Sequence, residues 1–169
     1  MYKQFFRDYN YYMETKNRKD VLGIVIAIIS IAVVAGLGAL FVNLGTNWFN
    51  GLVKPSEWIP NILIPIIWTV IYLTFAVILW IWIKKENLPR KVIALLITNG
   101  VLNILWCLVF FTLNQLFLGV TVIILNLIFA VKLILEISKT KDIFTLILII
   151  YPLWLGIATT LNLAVWILN

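Results

Sequence analysis

The residues able to do acid–base or nucleophilic work are few in this chain, and none has a partner. Histidine is absent, which removes imidazole both as a base and as a metal ligand. No two carboxylates share a depth within an apolar run, no glycine-rich phosphate loop occurs, and the lone Cys107 and the scattered Ser and Thr residues stand without a base beside them. Lys132 and Glu136, four residues apart, are expected to pair with each other or to reach toward the membrane surface. No further acid or base lies within a span to extend them into a proton or ion relay. What the chain has in quantity is aromatic chemistry: eight Trp, six Tyr and ten Phe in 169 residues.

Three tryptophans lie deep in apolar segments, and helical spacing gives each one a stripe of neighbours. Pro65, Trp68, Tyr72 and Phe75 follow i, i+3, i+7, i+10. Asn99, Asn103, Trp106 and Phe110 follow i, i+4, i+7, i+11, and Trp154, Ala158 and Leu161 repeat the pattern with Asn162 alongside. An indole N–H in hydrocarbon wants an acceptor, and Asn in lipid turns inward to hydrogen-bond. Two readings fit these stripes: polar glue between packed helices, or a cavity of aromatic rings with a few polar groups, suited to a large flat apolar ligand. Pro65 and Pro152 could kink their helices and open such a space. Trp48, Trp58, Trp80, Trp82 and Trp166 fall near helix ends, where an aromatic belt at the headgroups accounts for them.

The elements that must hold these stripes are membrane spans. The chain is 63% hydrophobic and 12% charged, with a mean hydropathy of +1.07, far from the composition of a soluble domain. Five runs reach the roughly 20 residues a helix needs to cross a bilayer: about Val21–Asn43, Ile59–Ile83, Lys91–Phe111, Leu116–Ile137 and Ile143–Leu168. They are too long and too evenly apolar for barrel strands. The expected fold class is therefore all-α and integral to the membrane, a single five-helix domain over 21–169 behind a basic, aromatic tail over 1–20 that lacks the form of a signal peptide. Of the thirteen Lys and Arg residues, twelve fall on one side, in the tail, Lys84–Lys91 and Lys132–Lys141; the long Leu44–Trp58 connection carries only Lys54. The positive-inside rule then places the amino terminus inside and Asn169 outside. The net charge of +6 thus orients the chain, and nucleic acid is not expected as a partner. Ala32, Gly36 and Ala35, Ala39 give small-residue spacing in the first helix, fit for a dimer contact or for packing within the bundle.

Three blocks, in order, resemble the translocator protein family, also called tryptophan-rich sensory proteins or TspO. Trp48-Phe49, Lys54-Pro55-Ser56, Pro60 and Ile67-Trp68-Thr69-Val70-Ile71-Tyr72 are similar to the family's W-Y, K-P-S-W-x-P-P and V-W-x-x-L-Y. The third helix reads LNILWCLVFF and the last YPLWLGIATTLNLAVWILN, both close to family signatures. Thr160 stands where a cholesterol-type pattern has Tyr, and nothing basic follows it.

The resemblance implies a five-helix bundle, commonly a homodimer, that binds porphyrins and other hydrophobic small molecules. It also implies a ligand site at Trp68 and Trp154, with Tyr72, Asn103, Trp106, Cys107, Phe110 and Ala158 lining one cavity among the second, third and fifth helices. Trp48, Phe49 and Pro55 would form a lid loop over it, and Lys54 would meet a propionate. The expected function is a multi-pass receptor or carrier in the cell membrane, the cytoplasmic membrane of a bacterium being preferred. Protoporphyrin is expected as a ligand and no cofactor or metal is expected. The alternatives are light- and oxygen-dependent porphyrin breakdown through Trp68 and Trp154, and an assembly subunit without a ligand.

Overall fold

In hydrocarbon every backbone N–H and C=O must be satisfied within the protein, so a long apolar run becomes a helix. The computed structural model describes residues 2–55, 59–60, 62–84, 88–139 and 147–169. It has five such helices: α1 Tyr2–Asn50, α2 Leu63–Lys84, α3 Arg90–Cys107, α4 Leu116–Ser138 and α5 Ile150–Leu168. α3 continues through a π-helical turn over Leu108–Thr112, and the chain then reverses at Asn114, whose φ of 57° falls in the left-handed region that Asn tolerates. All five contain stretches long and apolar enough to cross a bilayer, the α1 stretch being Asp20–Asn50. The protein is an all-α, multi-pass membrane protein.

The helices pack in the cyclic order α1–α2–α5–α4–α3, so α1 leans on both α2 and α3. The backbones of α2 and α3 stay apart, and the Tyr72 hydroxyl bridges them by donating to Asn103 Oδ1 at 3.2 Å. Two further asparagines join inner faces: Trp106 Nε1 donates to Asn162 Oδ1 at 3.0 Å between α3 and α5, and the Tyr151 hydroxyl donates to Asn126 Oδ1 at 3.2 Å between α5 and α4. We call the end that carries Asp20, Lys84, Lys91 and Lys139 the basic end, and the opposite end the far end.

Several expectations change. α1 does not stop at Asn43 but continues to Asn50, because Gly45 does not break it. Gly45 lies where α1 crosses the end of α3, and a Cβ there would run into the Phe111 carbonyl. Thr112 Oγ1 donates to the Phe41 carbonyl at 2.8 Å in the same crossing. The basic, aromatic tail is helical from Tyr2 and continuous with the span. α2 begins at Leu63, four residues later than expected, which puts Pro65 in its first turn; Pro152 likewise falls in the first turn of α5. A proline there removes only an N–H that has no helical acceptor, so neither acts as an interior kink. Glu136 pairs with Lys91 at 2.9 Å and Lys139 at 2.8 Å rather than with Lys132, whose ammonium lies 4.9 Å from the Phe129 ring centre. Lys91 on α3 is close enough to compete, and the contact ties α3 to α4. Trp58 and residues 140–146, which hold the expected start of the last span, lie outside the described residues.

Candidate functional site: an aromatic cluster above a lateral cavity

The stripe residues of α2 and α3 meet. Trp68 stacks on Tyr72 with ring centres 5.5 Å apart and on Trp106 at 6.1 Å. Trp106 continues to Phe110 at 6.4 Å and Phe111 at 5.7 Å. Trp48 and Phe49, expected in a lid loop, stand on the last turn of α1 and close the cluster against Phe110, Trp48 edge-on at 6.3 Å and Phe49 tilted at 6.1 Å. Phe110 is 1% exposed, so this far half of the bundle is filled by rings. Two α1 glycines approach α3 closely here, Gly38 facing Cys107 Sγ and the Tyr72–Asn103 pair, and Gly45 facing the Phe111 carbonyl.

Beyond α1 the chain forms a short segment through Pro55. Its Val53 is clamped by Asn169, whose Oδ1 accepts from Val53 N and whose Nδ2 donates to the Val53 carbonyl, both at 3.0 Å. Lys54 lies 4.6 Å from the centre of the Phe49 ring. Trp154 and Ala158 are buried on α5, and the Trp154 Nε1 has no hydrogen-bond partner.

Among the described residues an open space lies in the basic half. A cavity of about 570 Å³ is walled by α1 (Ile26 to Val34), α2 (Trp68 to Ile83) and α3 (Ile93 to Ile104), with Tyr151 of α5 at its back. Its volume is within the usual range for small-molecule sites, about 300–1,000 Å³. Of the expected site residues, Trp68, Tyr72 and Asn103 line it, at the boundary with the aromatic cluster. Trp48, Phe49, Pro55, Trp106, Cys107, Phe110, Trp154 and Ala158 do not; they form or flank the packed half. The first helix, not the fifth, supplies the third wall.

Sequence reasoning passed over several of the lining residues. Trp82 reads as belt from its place near a helix end, yet it is 5% exposed and lines the cavity, because its position on α2 falls in register with the buried Phe75 and Ile78. Asn99 lies one turn from Asn103 on the stripe already recognised, and that spacing was the signal for it. Ile26, Ile31 and Val34 gave none, since α1 is apolar on every side.

Comparison with known proteins agrees with this architecture. The chain is 29% identical over 153 residues to the tryptophan-rich protein TspO of Archaeoglobus fulgidus, covering 89% of this chain and 99% of that one. It is 28% identical over 159 residues to the protein of the same name from Chlorobaculum tepidum, covering 89% and 98%. A third relative, protein CrtK of Rhodobacter capsulatus, is 27% identical over 126 residues, 72% of this chain and 78% of that one. The TspO/MBR family pattern matches residues 25–167, all five spans, and the chain belongs to the TspO/MBR family.

Proposed function

We propose that this protein is a membrane receptor or carrier for a hydrophobic planar ligand, a porphyrin foremost, held as a ligand and not as a cofactor. The observation that carries the reading is the cavity itself: about 570 Å³, apolar on nearly all sides, with Trp68 at one end, backed by its stack on Trp106, and Trp82 at the other. Flat rings bury area against such walls, at about 25 cal/mol per Å² of apolar surface. On the positive-inside rule the basic end faces the cytoplasm. Homodimerisation belongs to the same proposal: Ala32 and Gly36 are exposed on α1, and a Cβ at Gly36 would meet nothing. The test is titration of the purified protein with protoporphyrin, followed by tryptophan quenching, for wild type and Trp68→Phe. Saturable quenching that weakens in the variant supports the site. Linear quenching indifferent to the substitution means partition into detergent and removes the proposal.

One observation favours a second reading, the light- and oxygen-dependent breakdown of bound porphyrin. The Trp68–Trp106 stack gives a photo-excited ligand adjacent indoles to oxidise, with dioxygen as the terminal oxidant. Trp154, the other expected participant, makes no ring contact with that pair among the described residues.

A further inference from the structure

Lys132 is a cation on a lipid-facing surface, with no ion pair among the described residues. α4 runs from the far end to the basic end, and Lys132 lies six residues before its close at Ser138, about 9 Å short of the helix end. The inner side of the helix carries Ala130, Leu133 and Ile137. Lys132 is on the outer side, among the exposed aliphatics Ile128, Val131 and Leu135. Its ammonium is 4.9 Å from the centre of the Phe129 ring, and Phe129 is three residues nearer the far end. Helical side chains lean toward the N-terminus, so this posture carries the charge into the hydrocarbon and away from the headgroups. The ring offsets only part of the cost of that position.

The acid one turn along is already taken. Glu136 is the only carboxylate in the sequences of α3 and α4, and its Oε2 lies 2.9 Å from Lys91 Nζ and 2.8 Å from Lys139 Nζ. Lys132, Glu136 and Lys139 follow i, i+4, i+7 and so share one face of α4, which Lys91 reaches from α3. This strip sets three ammonium groups against one carboxylate. The side chains of Lys91 and Lys139 stay 68% and 66% exposed, and each ammonium has donors beyond the one Glu136 occupies. None of these residues lines the cavity between the first three helices.

We infer that the α3–α4 strip binds the phosphate of an anionic phospholipid in the leaflet at the basic end, with Lys132 as the anchoring donor and Lys91 and Lys139 nearer the headgroup surface. A lipid fits better than a soluble phosphate because Lys132 is approached across aliphatic side chains. Acyl chains lie against Ile128, Val131 and Leu135 while the phosphodiester takes the ammonium in a charge-assisted hydrogen bond. The flexible stem of Lys132 lets it turn from the Phe129 ring to that phosphate. The surplus of positive charge selects a head without an amine. Phosphatidylglycerol meets this condition, whereas phosphatidylcholine brings a further cation to a strip that is already cationic.

The test is native mass spectrometry of the full chain in detergent, titrated with dioleoylphosphatidylglycerol or dioleoylphosphatidylcholine, which share their acyl chains and differ at the head. The wild type should retain a phosphatidylglycerol adduct at concentrations where phosphatidylcholine is lost. Lys132→Gln should weaken that adduct about fivefold, the worth of one lysine beside an anionic headgroup, and Lys132→Arg should keep it. Arg7→Gln, in the part of α1 that precedes its span, controls for net charge and should leave the adduct unchanged. Equal retention of the two lipids by the wild type overturns the inference, and needs no variant to do so. A preference that survives Lys132→Gln overturns it as well. So does an equal loss in Arg7→Gln, which would mean diffuse attraction to the whole basic end. Displacement of the adduct by millimolar inorganic phosphate would mean that the strip takes phosphate without acyl chains, and overturns the lipid assignment.

Discussion

Asn162 supplies the acceptor for the Trp106 indole N–H at the centre of the aromatic cluster. Its own Nδ2 is returned to the Ala158 carbonyl at 2.8 Å, so the amide is fixed at both ends. Asn162→Leu therefore leaves Trp106 Nε1 buried without a partner and should destabilise the protein by about 1–3 kcal/mol. Trp106→Phe added to Asn162→Leu should restore part of that loss, because removing both partners leaves nothing unsatisfied. Thermal unfolding of the two single variants and the double variant in one detergent reads this directly; additive losses would show that the hydrogen bond is not what couples them. On α3 the same residue type is satisfied less fully: Asn99 Oδ1 and Asn103 Nδ2 are buried without a hydrogen-bond partner among the described residues, on two residues that line the cavity. Composition and spacing located these asparagines and turned them inward. They could not separate glue from recognition, because that depends on whether a partner stands opposite, and the opposing residues lie 31 to 56 positions away in sequence.

Among the elements, α1 departs most from what its sequence announces. The five spans were legible because hydropathy and the lipid solvent leave the backbone one solution; α4, and α3 taken together with its π-helical turn, start and end within a residue or two of their expected bounds. The stretch around Gly45–Asn50 read as loop because glycine and asparagine disfavour a helix in isolation. Packing against α3 overrides that propensity: the missing Cβ at Gly45 lets the two backbones approach, and the gain from the contact exceeds the intrinsic cost of about 1 kcal/mol. Gly45→Ala should accordingly reverse the usual benefit of alanine in a helix. It should lower stability by about 1–3 kcal/mol through overpacking against the Phe111 carbonyl, visible as a lower midpoint in the same unfolding assay. A neutral or stabilising effect would mean that α1 does not cross α3 at this point. Gly156→Ala on α5 serves as the control, since a Cβ there meets nothing within 4 Å. The third wall of the cavity was illegible for a related reason. A helix apolar on every face has no amphipathic signal to say which side is inward, and crossing angles are set by contacts, not by hydropathy.

At the scale of the molecule, the bundle divides along its axis. Rings cluster in the far half, and among the described residues the cavity lies in the basic half. Resemblance to the family gathered nearly all of the expected site into the ring-filled half, and only Trp68, Tyr72 and Asn103 carry over to the cavity. The division follows from α1 being tied to α2 at one end and to α3 at the other, so that it runs as a diagonal across the gap between them.

That diagonal is also the longest rod in the assembly. Its apolar stretch is 31 residues, against 22 or 23 for each of the other four. At 1.5 Å per residue this is about 46 Å of helix facing a hydrocarbon layer of about 30 Å, a mismatch met by leaning. A thinner bilayer demands more lean from α1 than from its shorter neighbours, and with its far end fastened to α3 the added lean swings its basic half away from that helix. The thickness of the surrounding lipid would then set how far α1 and α3 stand apart beside the cavity. Entry of 4-(1-pyrenyl)butanol should be faster in nanodiscs of 14-carbon lipid than in those of 18-carbon lipid, by stopped-flow quenching. Equal rates in the two would mean that α1 is braced against the bilayer rather than moved by it.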